Sequence, residues 1–130
     1  MRIFIAGTFD HFHVGHQQLV WSAYWEATDL VIIIARDLIV KKIKGSLPFN
    51  NENTRLERVK KEFEGFGKVN VQLGDNGGDF LKTLEKVNPT HVFLGYDQHA
   101  DTKKINHLFP EIKIKRIKPY FSELFKSSKF

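Results

Sequence analysis

Leu30-Val31-Ile32-Ile33-Ile34-Ala35 is an unbroken apolar run rich in β-branched residues, the composition expected of a strand buried on both faces of a parallel sheet. Upstream, the apolar stretch Ile3-Phe4-Ile5-Ala6 stops at Gly7-Thr8, and Leu19, Val20, Ala23 and Ala27 then recur on one helical face. Strand, loop, helix and strand complete a βαβ unit by Ala35. After Asp37 the periodicity fades into lysine-rich sequence with Gly45 and Pro48, read as a loop over 37–50. Leu56, Val59 and Phe63 predict a helix over 51–64, and Val69-Asn70-Val71 predicts a short strand. Asp79 to Val87 reads as a helix, Thr90 to Leu94 as a strand ending at Gly95, residues 100–108 as a short helix and Ile112 to Ile117 as a last strand. The tail from Pro119 is a loop that restarts as a helix near Ser127. Strands alternating with helices in this way predict an α/β fold: a Rossmann-like, doubly wound, five-stranded parallel sheet with right-handed crossovers, in a single domain over 1–130.

Composition bounds the function. The chain has 130 residues and no cysteine, so disulfides and thiolate metal sites are excluded. It contains no apolar run approaching the roughly 20 residues that span a bilayer, and the first apolar run is too short for a signal peptide. A cytoplasmic protein without membrane partners is expected. The formal net charge of +5 favours anionic partners, with Lys41, Lys42 and Lys44 clustered in one segment and further cations crowding the C-terminal end.

The chemistry concentrates in Gly7-Thr8-Phe9-Asp10-His11-Phe12-His13-Val14-Gly15-His16, between the first strand and the first helix. In an open α/β sheet, ligands bind outside the carboxyl ends of the strands, and a helix N-terminus suits a phosphate. Gly7 permits a tight turn and Gly15 leaves room beside the helix start. His13 and His16 are three residues apart, so a helix beginning near Val14 lets both address one triphosphate. Phosphoryl-type transfer depends on positioning and on neutralising charge that develops on phosphate oxygens, which imidazoles, lysines and a Mg²⁺ ion supply.

This segment resembles the GTFDxxHxGH signature of the cytidylyltransferase-like nucleotidyltransferases, and the likeness extends along most of the chain. Ala35-Arg36-Asp37, Lys42-Ile43-Lys44-Gly45, Arg55 and Leu94-Gly95-Tyr96-Asp97 fall where that family has counterparts. Lys126-Ser127-Ser128-Lys129 resembles its C-terminal ISSSxxR or ISTTK segment, although Phe125-Lys126 stand where Ile-Ser is common. The segment from Val31 to Gly45, with Leu-Gly-Tyr-Asp-Gln, most resembles archaeal-type FAD synthases, which adenylylate FMN; glycerol-3-phosphate cytidylyltransferases are close behind. The resemblance implies transfer of a nucleoside monophosphate from ATP or CTP to FMN or an alcohol phosphate, release of pyrophosphate, Mg²⁺ dependence and a homodimer. It implies that His13, His16 and Lys44 are catalytic, and that Gly7, Thr8, Phe9, Gly15, Gly95, Asp97, Ser127 and Ser128 bind the nucleotide. Asp10, Asp37, Lys42 and Arg55 would serve the acceptor.

Other readings compete. His11-Phe12-His13 after a first strand also suits a metal-binding hydrolase barrel, but such a barrel needs about 250 residues, and no metal held directly by protein side chains is expected. A lysine run is usually a solvated face. Arg55 could instead pair with Glu52 or Glu57 on its own helix. Tyr96 and Phe121 are candidates to stack on a ring, while His91, His99 and His107 have no spacing partner and are assigned to structure or surface. A non-enzymatic nucleotide- or RNA-binding module would use the basic tail. Against it stand the two histidines kept together with the lysines, and the lack of an aromatic RNA-recognition motif.

Overall fold

The computed structural model describes residues 1–10, 14–95 and 101–117. Its elements run β1 (Arg2–Gly7), α1 (Val14–Glu26), β2 (Asp29–Ile34), α2 (Asp37–Lys44), α3 (Glu52–Glu62), β3 (Val69–Leu73), α4 (Phe80–Val87), β4 (His91–Gly95), α5 (Thr102–Leu108) and β5 (Lys113–Ile117). The strands form one sheet in the order β3-β2-β1-β4-β5, with every pairing parallel. The doubly wound architecture expected from the sequence is present. The chain winds outward from β1 through β2 to β3, then returns to lay β4 on the other side of β1. That reversal puts a topological switch point between β1 and β4.

Alternate residues of each central strand divide between two cores, as the two-residue period of a strand requires. Ile3 and Ile5 of β1, Leu30, Ile32 and Ile34 of β2 and Phe93 of β4 pack with Leu19, Val20 and Ala23 of α1 and Val59 of α3. Phe4, Val31, Ile33, Val92 and Leu94 point the other way, onto Leu84 of α4 and Ile105 of α5. Both faces of β1 and β2 are therefore covered, which is why Leu30 to Ile34 shows no alternation with polar residues.

Helix starts are set by local polar chemistry. Asn51 accepts from the Thr54 N–H, Asp79 from Lys82 and Asp101 from Lys104, each satisfying an amide that has no partner within its helix.

The main departure from expectation is α2, a helix where a loop over 37–50 was read; only its second half, after Lys44, is a loop. The segment is short, and the lysines that suggested a loop are good helix formers. Asp37 in the first turn and Lys41, Lys42 and Lys44 in the last complement the helix dipole. Gly45 ends the helix in the left-handed region at φ 86°, its N–H bonded to Lys41 O. Tertiary contacts hold the rest: Val40 is buried, and Ile39 lies against Gly78 in the β3–α4 loop. Among the described residues, no helix is long and apolar enough to cross a membrane.

Gly78 has φ +73°, and a Cβ there would fall 2.6 Å from Ile39 Cδ1. Gly78→Ala is expected to cost about 1–3 kcal/mol, combining a strained backbone with a steric push on α2. Thermal melting checks this, and a variant as stable as the parent would show that the loop yields freely.

Candidate functional site

The carboxyl ends of β1 and β4 open into a cavity of about 1120 Å³, room for a nucleotide and a second substrate. Gly7, Thr8, Phe9, Asp10 and His16 from the β1–α1 region line it. Arg36 and Lys44 come from the α2 side, and Asp101 and Lys104 from the start of α5. Residues from both sides of the switch point thus line one cavity.

The β1–α1 loop is shaped by Phe9. Its backbone is left-handed at φ 53°, its side chain is buried, and its ring meets the His16 imidazole edge-on at 5.3 Å. A Cβ on Gly7 would sit 3.0 Å from Phe9 Cε2, so the glycine makes room for the ring that seats His16. Gly15 lies in the first turn of α1, where backbone N–H groups without helical partners suit an anion.

Asp10 latches this loop to the segment before α3. Its carboxylate accepts the N–H of Phe49 at 2.7 Å and of Asn50 at 2.7 Å, and the Asn50 side-chain amide donates to Asp10 O at 2.7 Å. Sequence reading did not supply this structural role of Asp10.

Arg55 completes the framework. Its side chain is fully buried, and its guanidinium donates to Asn50 O at 3.0 Å, Thr8 O at 2.8 Å and Asp37 Oδ1 at 2.7 Å. One fork therefore ties the β1–α1 loop, the α2–α3 loop and the start of α2. This corrects the pairing read for Arg55: its carboxylate partner is Asp37 rather than Glu52 or Glu57, and its side chain is turned inward as a structural tie. Glu52 instead accepts the Asp37 N–H at 2.9 Å and Arg36 Nη1 at 3.0 Å, capping α2 from α3. Arg36 Nε reaches on to Gly74 O at 3.0 Å. Asn50, Glu52 and Arg36 were missed because they act through backbone groups and neighbours distant in sequence.

The two lysines separate. At 100° per residue, Ile39, Val40, Ile43 and Lys44 share the arc of α2 that faces the cavity, whereas Lys42 falls on the opposite, solvated side. Lys44 lines the cavity, whereas Lys42 and Asp37 are not among its lining residues. Asp75, at the rim, has its carboxyl held below the ordinary carboxylate range, chiefly by the Asp79 N–H and also by that of Gly77. It is an anion at neutral pH, so the cations Lys44, Lys104 and Arg36 share the cavity wall with fixed negative charge.

His16 and Lys44, from separate helices, line the same cavity. Gly95 ends β4 beside Ile117, at the switch point. His13, Asp97, Ser127 and Ser128, together with Tyr96, His99 and Phe121, lie outside the described residues. His91 is in β4, where burial holds its imidazole below the usual range, and His107 is exposed on α5.

The chain matches the protein-family profile described as cytidylyltransferase-like over residues 4–128. It is 33% identical over 132 residues to an FAD synthase of Thermoplasma volcanium, covering 98% of this chain and 89% of that one. It is 35% identical to an FAD synthase of Methanobrevibacter smithii, covering 98% and 85%. Among solved structures, one described as a lipopolysaccharide core biosynthesis protein from Thermoplasma volcanium superposes with a TM-score of 0.76 at 32% identity, covering 92% of this chain and 98% of that one. A protein of unknown function from Archaeoglobus fulgidus shares the fold with a TM-score of 0.73 at 23% identity, covering 94% and 93%.

Proposed function

Because the chain belongs to the cytidylyltransferase-like family, we propose that it is an FMN adenylyltransferase, joining the adenylyl group of ATP to the phosphate of FMN and releasing pyrophosphate. The supporting observation is that His16 and Lys44, carried by separate helices, line one cavity at the carboxyl ends of the strands, in a chain whose similar proteins include FAD synthases.

In this reaction an oxygen of the FMN phosphate attacks the α-phosphorus of ATP. The bond from that phosphorus to the α,β-bridging oxygen breaks, and its electron pair leaves with pyrophosphate. Negative charge grows on the bridging and non-bridging oxygens. His16 donates an imidazole N–H toward that charge, the first-turn amides of α1 add further donors, and Lys44 supplies a cation. Asp10, Asp37 and Arg55 keep the loops that carry these groups in register. His13, Asp97, Ser127 and Ser128 retain in this proposal the catalytic and nucleotide-binding roles that the resemblance implies.

Mg²⁺ enters as the companion ion of ATP. Among the described residues, no group of three His, Cys, Asp or Glu side chains is arranged to hold a metal. The ion commonly relies on substrate phosphates with few protein ligands. We further propose a homodimer, as the family resemblance implies, acting in the cytoplasm.

The test is pyrophosphate release with Mg²⁺, crossing ATP and CTP with FMN and glycerol-3-phosphate. Turnover confined to ATP with FMN is expected; turnover with CTP and glycerol-3-phosphate alone would overturn the assignment. The α2 geometry adds a second expectation, that Lys44→Ala lowers kcat/KM by about 10²-fold whereas Lys42→Ala stays within about threefold, as a solvated cation should. Equal losses from the two variants would contradict the separation of the lysines on α2.

A further inference from the structure

Resting on FMN as the acceptor, we infer that its flat ring system lies in an apolar slot between α2 and α4, and that this slot selects the acceptor. Among the residues that line the cavity, Asp101 and Lys104 at the start of α5 are polar groups suited to a ribose and a base edge. Ile39 and Ile43 of α2, Leu81 of α4, and Ala6 and Ile33 of the sheet are apolar.

Ile43 is 76% exposed although it lines the cavity. A large apolar side chain facing water from a concave wall gains free energy when an apolar ligand covers it. Lys44 follows Ile43 directly, so α2 presents an apolar surface that ends in a cation. The matching ligand is a broad apolar ring joined to a phosphate. A three-carbon alcohol phosphate would satisfy the lysine and leave the isoleucines wet.

The slot is built rather than collapsed. Gly78 backs Ile39, Arg36 pins the start of α2 to Gly74 O at 3.0 Å, and Phe80 stacks edge-on against Phe4 at 5.5 Å. Asp75 and Asp79 at its rim already accept backbone N–H groups of their own turn, so the walls rather than the rim provide the selection.

Ile43→Gln tests this, since an exposed position on α2 accepts a neutral polar residue without disturbing the core. The KM for FMN is expected to rise about tenfold with the KM for ATP unchanged, while Ile43→Leu stays close to the parent. Lumiflavin, the ring without its phosphate, is expected to compete with FMN on the parent protein and to compete more weakly on Ile43→Gln. An unchanged KM for FMN in Ile43→Gln, or a rise confined to the KM for ATP, would overturn the slot while leaving FMN adenylylation standing. A parent protein that neither turns over FMN nor binds lumiflavin would overturn the slot and the functional reading together.

Discussion

Arg55→Met is expected to destabilise the fold by about 3–5 kcal/mol, the cost of breaking a buried ion pair by removing one partner. The substitution leaves Asp37 without its guanidinium, and it orphans the carbonyls of Thr8 and Asn50 that Arg55 now satisfies. Against a typical total stability of about 5–15 kcal/mol, this is a large fraction, and a drop in Tm of about 10–20 °C should accompany it. Arg55→Lys keeps the charge but replaces a planar fork with a single ammonium, so it should recover only part of the loss. Urea unfolding of the parent and both variants measures the effect. A loss below about 1 kcal/mol for Arg55→Met would mean that the loops hold their positions without the fork, and that Asp10 and Asn50 suffice.

His16→Ala should produce the largest change in activity, a fall in pyrophosphate release of about 10²–10³-fold with the melting temperature nearly unchanged. His16 is only partly buried, and its ring contact with Phe9 is worth about 0.5–1.5 kcal/mol at most. The activity loss would come from removing a hydrogen-bond donor aimed at charge that develops in the transition state, so kcat should fall more than the KM for ATP rises. His16→Asn, which retains a side-chain donor, should recover part of the rate. Equal turnover by parent and His16→Ala would remove this imidazole from the mechanism and shift attention to Lys44 and the α1 amides.

The five strands were legible because each leaves a local trace. Continuous apolar sequence at Leu30 to Ile34 marks a strand covered on both faces, and the division of Ile3, Ile5 and Phe4 between two cores follows from the period of the strand. The position of the Gly7 to His16 segment was equally legible, since a loop leaving a strand and entering a helix can occupy only the carboxyl edge of a parallel sheet. Helix α2 was not, because its eight residues form a short segment with one buried side chain and a lysine-rich last turn that reads as solvated sequence. Its existence depends on Gly78, Gly74 and Glu52, which lie far along the chain.

The sequence by itself determined the sheet, the placement of the histidine loop and the family to which the chain belongs, because hydrophobic period and a contiguous motif are properties of neighbours. Only the tertiary structure decided that Arg55 is an internal strut, that Asp10 is a latch, and that Lys44 rather than Lys42 meets the cavity. Two of the three groups that Arg55 binds are backbone carbonyls, which have the same chemistry at every residue and leave no mark in the sequence. The difference between adjacent faces of α2 exists only once that helix is docked against the rest of the molecule.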